Sequence, residues 1–407
     1  MEKTATVMKT QNSFKHERQY YIDWLRIILI LTVFLFHIGM VFNPFEWHIK
    51  NENQFAFLAP IMSFLHLWRM PLLFLISGAG TYYALGKRTT RQYLKERIHR
   101  LLIPLAAGIF LLVPVQVYYE RIDQYASLLH YYPEMFQGTY PEGNFSWHHL
   151  WFIAYLFLIS VITVPLLRSL KTGFFRRFRT GIEAIAHRKL GLNVVLIPLV
   201  LSQVILKPYF PKETHDVVND WAFIAFNAIF FISGFVLFTN RRIISSLKTQ
   251  RRWYLSEALL ATLFFFVSRQ LETMNGWPVE ALSIVVSWSC GVTAIAYAAT
   301  YLNKDSRLRK PANEAIYPFY LLHQPAIVIW AYYITGWNTA AGWKALLIMA
   351  LSFITSLGIY WLLIRPFNVT RLLFGMKRKP AAGRAKRTFK KTKPILKSGL
   401  QNKAATL

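Results

Sequence analysis

WLRIILILTVFLFHIGMVF, residues Trp24 to Phe42, is an apolar run of nineteen residues interrupted by two ionisable side chains, Arg26 and His37. A bilayer core of roughly 30 Å needs about 20 helical residues, because backbone groups surrounded by lipid must find their hydrogen bonds within the segment. The run therefore predicts a membrane span. No small-x-small cleavage site follows it, so it is expected to be a retained helix and not a signal peptide.

Working outward, nine further stretches meet the same test: Phe57 to Leu85, Leu101 to Tyr119, Leu150 to Leu170, Leu190 to Leu206, Trp221 to Asn240, Trp253 to Arg269, Val279 to Tyr301, Ala315 to Thr335 and Trp343 to Ile364. The expected fold is all-α, a polytopic membrane helical bundle of about ten transmembrane helices. Composition agrees. Of 407 residues 54% are hydrophobic and only 16% charged, whereas soluble domains carry about a quarter charged residues.

A formal net charge of +28 would suit a nucleic-acid binder if the basic residues formed one face. They lie instead between the apolar runs, which leaves no nucleic-acid partner to expect. Alternate connections hold Lys87 to Arg100, Arg168 to Lys189, Arg241 to Arg252 and Lys304 to Lys310, and with both tails they collect about 39 of the 47 Lys and Arg residues. The other connections hold Lys50, Arg121, Lys207 and Lys212. Basic residues concentrate in cytoplasmic loops, so both termini are expected in the cytoplasm and an even number of spans is favoured. The expected divisions are a cytoplasmic N-terminal tail, 1–22; a transmembrane domain, 23–365; and a basic cytoplasmic C-terminal tail, 366–407, largely disordered for want of apolar periodicity.

Ionisable residues at membrane depth are costly and mark function. Arg26 and His37 are eleven residues apart, about three helical turns and roughly 16 Å, so one face of the first span carries a cation near the cytoplasmic mouth and an imidazole well inside. His37 is the best general base in the chain, since imidazole titrates near neutrality; a lone histidine on an apolar helix can equally be a hydrogen-bonded packing residue. Arg97 and Arg100 form an Arg-x-x-Arg pair suited to phosphate, although a basic pair at a helix end is also an ordinary topology signal. His66, Arg69, His148, His149, Glu280 and His323 are the further candidates for an acceptor-side or cavity-lining role. No His-x-x-x-His pair with a nearby acid occurs, and Cys290 is the single cysteine, so no metal is expected. Nor is there a phosphate-binding P-loop, a dinucleotide glycine fingerprint or a nucleophile elbow.

In order and spacing, Asp23-Trp24-Leu25-Arg26, His37, Met70-Pro71-Leu72-Leu73-Phe74-Leu75-Ile76-Ser77-Gly78, Arg97-x-x-Arg100, His149-Leu150-Trp151-Phe152 and Tyr317-Pro318-Phe319-Tyr320-Leu321-Leu322-His323-Gln324-Pro325 resemble the acyltransferase-3 family of membrane O-acyltransferases over approximately residues 20–365. The resemblance implies transfer of an acetyl, succinyl or similar acyl group from cytoplasmic acyl-CoA, a co-substrate and not a bound cofactor, to hydroxyls of an extracytoplasmic carbohydrate such as a glucan. It implies an essential role for His37, donor-side roles for Arg26, Arg97 and Arg100, and residence in a bacterial cell membrane. The rival expectation is a transporter or exporter of a glycan or amphiphile, for which a polar-lined bundle would serve as well.

Overall fold

The computed structural model describes residues 19–271 and 276–379. In chain order its helices are α1 (Tyr20–Phe42), α2 (Leu58–Leu85), α3 (Thr90–Glu120), α4 (His148–Ser169), α5 (Arg176–Ala186), α6 (Gly191–Leu206), α7 (Trp221–Leu237), α8 (Arg241–Gln270), α9 (Trp277–Tyr301), α10 (Arg309–Thr335), α11 (Ala341–Ile364) and α12 (Asn368–Leu373), with a short helix Leu128–Glu134 between α3 and α4. Among the described residues no strand forms beyond one isolated bridge, Thr139 with Phe145.

All ten apolar stretches are helical, but length and apolarity qualify six of them as spans: α1, α2, α3, α4, α9 and α11. A seventh arises if α7 and α8, bent by 106°, count as one. The remainder fall short for local reasons. Helix α6 is short, the first turns of α8 carry Arg241, Arg242, Lys248, Arg251 and Arg252, and α10 carries Arg309, Lys310, Glu314, His323 and Gln324 within its length.

Proline decides how the helices meet. A helical proline has no N–H for the carbonyl four residues back, and in lipid that carbonyl needs another donor. Ser287 Oγ donates to Leu67 O at 2.6 Å, four residues before Pro71. Tyr132 Oη donates to Phe110 O at 3.2 Å, four before Pro114, and His149 Nε2 donates to Leu321 O at 3.2 Å, four before Pro325. Each released carbonyl thus ties its helix to another segment. Gly78 of α2 lies against the Phe231 backbone of α7, and Gly234 of α7 against the Leu75 backbone; a Cβ at either position would collide with main chain, so this crossing requires glycine.

The connections gather at two ends. At one, Tyr20 N donates to Asn303 Oδ1 at 3.0 Å, Arg168 Nη2 to Arg88 O at 2.7 Å, Asn240 Nδ2 to Glu183 Oε2 at 2.5 Å and Arg371 Nη2 to Glu314 Oε1 at 3.0 Å. Fully buried Arg309 joins α10 to α1 there, bonding Asp23 at 2.5 Å and Asp305 at 2.8 Å. At the other end Lys207 pairs with Glu280 at 2.5 Å, Trp147 Nε1 donates to His215 O at 2.6 Å and Lys344 Nζ to Asn51 Oδ1 at 3.2 Å. Beyond residue 365 the chain forms a further short helix, α12. Helix α12 packs back through buried Arg371, and Gly375, at φ +68 in the region that favours glycine, fits against Tyr317. Residues 380–407, the rest of the expected tail, lie outside the described residues, as do 1–18.

Candidate active site

Two histidines that are remote in sequence meet inside the bundle. His37 Nδ1 lies 2.9 Å from His323 Nε2, and His323 Nδ1 lies 2.6 Å from the Tyr320 carbonyl. The carbonyl can only accept, so His323 carries its proton on Nδ1 and offers Nε2 as a lone pair. His37 must then donate from Nδ1, which leaves its own Nε2 with a free lone pair. A backbone carbonyl thereby sets, through one imidazole, the tautomer in which His37 is a base. Trp47 stacks on the His37 ring at 6.2 Å.

His149 completes the cluster. It is buried, stands edge-on to His323 at 5.4 Å, and its backbone carbonyl accepts a hydrogen bond from the Tyr320 hydroxyl. Buried Arg69 sets its guanidinium over the Phe36 ring at 3.5 Å, within electrostatic reach of His37 and of Tyr320. Its Nε and Nη1 have no hydrogen-bond partner among the described residues. Of the sequence candidates, His37, Arg69, His149 and His323 therefore come together.

Arg26 opens onto a cavity of about 500 Å³ lined also by Gln19, Asp23, Lys87 and Lys171. Its Nη1 donates to Asn313 Oδ1 at 3.2 Å. Arg97 and Arg100 do not line that cavity, yet both lie within electrostatic reach of Arg26 and of Tyr317. A π turn over Ile98–Leu102 follows Arg97 and contains Arg100, and Pro104 beyond it removes the donor for the Arg100 carbonyl; such turns recur at functional sites. Arg97 covers the Tyr93 ring at 4.7 Å and Arg100 pairs with Glu96 at 3.2 Å. The Thr89–Gln92 capping box starts this helix. Lys87 and Lys171 escaped the sequence reading because loop lysines look alike until the loops are brought together.

His66 and Glu280 belong elsewhere. Exposed His66 pairs with Glu213 at 3.1 Å, and both it and Glu280 border a separate, small cavity of about 70 Å³. His148 parts from His149 and joins two residues that the sequence did not single out, His48 and Glu120, whose side chains meet at 2.6 Å. Gln324, the neighbour of His323, reaches His48 Nε2 at 3.1 Å. Nothing in local periodicity marks His48 or Glu120, since one lies in a connection and the other at a helix end.

An all-helical membrane bundle with a basic cavity near one end and a paired imidazole base in its interior is suited to group transfer. A family model described as an acyltransferase domain matches residues 19–365, and the chain is a membrane acyltransferase. It belongs to the acyltransferase-3 family. Among curated proteins it is similar to Glucans biosynthesis protein C of Escherichia coli K12, at 23% identity over 80% of this chain and 86% of that protein, and to the same-named protein of Escherichia coli O6:K15:H31, strain 536, at the same identity and coverage. No solved structure matches.

Proposed function

We propose that the chain moves an acetyl, succinyl or similar acyl group from cytoplasmic acyl-CoA to a hydroxyl of an extracytoplasmic carbohydrate, a glucan being favoured by the similar proteins' name. In this reading the bundle crosses a bacterial cell membrane ten times with both termini inside. Contacts that gather the Lys- and Arg-rich connections at one end support that topology.

The observation that carries the reading is the chain from Tyr320 carbonyl to His323 to His37, which ends in a free Nε2 lone pair. His37 Nε2 takes the proton of the acceptor hydroxyl as its oxygen attacks the thioester carbonyl carbon. Arg69 receives the developing oxyanion. Collapse of the tetrahedral intermediate breaks the C–S bond, and His37 returns the proton to the departing CoA thiolate. Arg26, Arg97 and Arg100, aided by Lys87 and Lys171, hold the donor phosphates, for which guanidinium groups give bidentate contacts. An acyl group carried on His37 itself is the competing route, and quenching during turnover would reveal an acylated peptide containing residue 37.

The test uses purified full-length protein and labelled acyl-CoA with an oligoglucan acceptor. His37→Ala is expected to lower transfer by about 10²- to 10⁴-fold with donor binding retained. Undiminished transfer in that variant would remove the mechanism, and acceptor movement without label transfer would favour the transporter alternative.

A further inference from the structure

We propose that His48, Glu120 and His148 bind one divalent transition-metal ion of the zinc class. Each offers one ligand atom, and these atoms lie within 4.8 Å of one another. A tetrahedral ion with bonds of about 2.0 Å sets its ligands roughly 3.3 Å apart, so side-chain shifts of about an ångström close the site. The residues come from three separate segments: the connection after α1, the end of α3 and the start of α4. For that reason no spacing motif exists to be read.

The atoms that point away from the centre are held. Tyr140 Oη donates to Glu120 Oε1 at 3.0 Å, leaving Oε2 on the His48 side. Ser146 Oγ stands 3.5 Å from His148 Nδ1, while the buried His148 Nε2 has no partner among the described residues. Gln324 holds His48 Nε2 at 3.1 Å, and buried Gln324 Oε1 has no partner among the described residues. Turning the Gln324 amide by 180° lets Oε1 accept from His48 Nε2–H. His48 Nδ1 then presents a lone pair toward the Glu120 carboxylate, a pair of facing acceptors that a proton bridges in the empty site and a metal ion bridges in the loaded one. Metal-bound histidines are held by their second nitrogen in this way, and the holding partners matter for affinity.

Two imidazoles and one carboxylate, with no thiolate and few oxygen donors, suit zinc and not calcium or magnesium. Three protein ligands leave a fourth position open to water or a sugar hydroxyl. Through Gln324 and His323 the site adjoins His37, on the side opposite the basic cavity. The inference does not rest on acyl transfer, and metal content is measured without reference to it.

Full-length protein purified on a tag free of histidine is stripped with chelator, equilibrated with Zn²⁺ or Co²⁺ and dialysed. About one equivalent of metal per chain is expected, with Co²⁺ giving the visible absorption of a four-coordinate N/O site. His48→Ala, Glu120→Gln and His148→Ala each abolish retention, and His130→Ala leaves it intact. Gln324→Ala weakens binding by about 10- to 100-fold, and decides the matter should a ligand variant fail to fold. Sub-stoichiometric metal in the unaltered protein, or equal retention in folded ligand variants, overturns the proposal and leaves a His48–Glu120 ion pair.

Discussion

Arg69 is a buried guanidinium whose Nε and Nη1 bond nothing among the described residues, resting over Phe36 beside the His37 pair. Leaving buried N–H groups unpaired costs stability, and it is tolerated where those groups await a ligand's charge. Arg69→Met keeps the length and apolar bulk of the side chain while removing the charge. We expect melting at or above that of the unaltered protein, since an apolar isostere of a buried charge is often neutral or stabilising, with kcat lower by about 10²- to 10³-fold and KM for the donor little changed. A lower melting temperature with unaltered kcat would make Arg69 a packing residue. At this scale the sequence was informative in part. An ionisable side chain in an apolar run announces itself, as His37, Arg69 and His323 do. His48, half-buried in a connection, and Glu120, half-buried at the end of α3, sit among other polar residues and carry no such contrast.

Helices were legible from apolar length, but their interruptions needed partners to be interpreted. Pro325 says that the Leu321 carbonyl is free; only packing says that His149 takes it. The same holds for Pro71 with Ser287. The connection between α6 and α7 shows a further effect of burial. His215 stacks on Trp151 at 4.4 Å, and that burial holds its pKa down to about 4. Burial raises Asp220, which accepts from Tyr155 Oη at 2.6 Å, to about 6. Between about pH 4 and 6.5 the folded His215 is neutral while the unfolded one is protonated, so its contribution to stability rises with pH. Between about pH 4 and 6 the folded Asp220 stays protonated while the unfolded one ionises, so its contribution falls with pH. The two oppose each other. Hydrogen exchange of the 207–220 connection should therefore vary little with the folded-state titration of this pair in the unaltered protein. His215→Phe should show protection falling as pH rises from 4 to 6, and Asp220→Asn should show it rising over 4 to 6.5; the same slope in both variants would contradict the assignment.

For the molecule as a whole, charge and contact divide the connections in the same way. Segments around Arg88, Arg168, Asn240, Asn303 and Arg371 meet at one end, and those around His48, Trp147, His215 and Glu280 at the other. The proposed topology makes the first end cytoplasmic. Because Cys290 is the single cysteine, a Cys290→Ser background allows direct mapping. Ser306→Cys should react with an impermeant maleimide only after the membrane is opened, and Glu142→Cys in intact cells. The reverse pattern would invert the orientation, and reaction of both in intact cells would break the two-ended arrangement. By itself the sequence determined the helical class, the alternation of basic connections and the candidacy of Arg26 and His37, because apolar length and charge placement answer to the bilayer and are written locally. Only the tertiary structure decided that His37 meets His323, 286 positions away, that His148 and His149 serve different clusters, and that His48 faces Glu120. The helical period records which side a residue occupies on its own helix, but the identity of the side chain opposite is set by how separate helices pack.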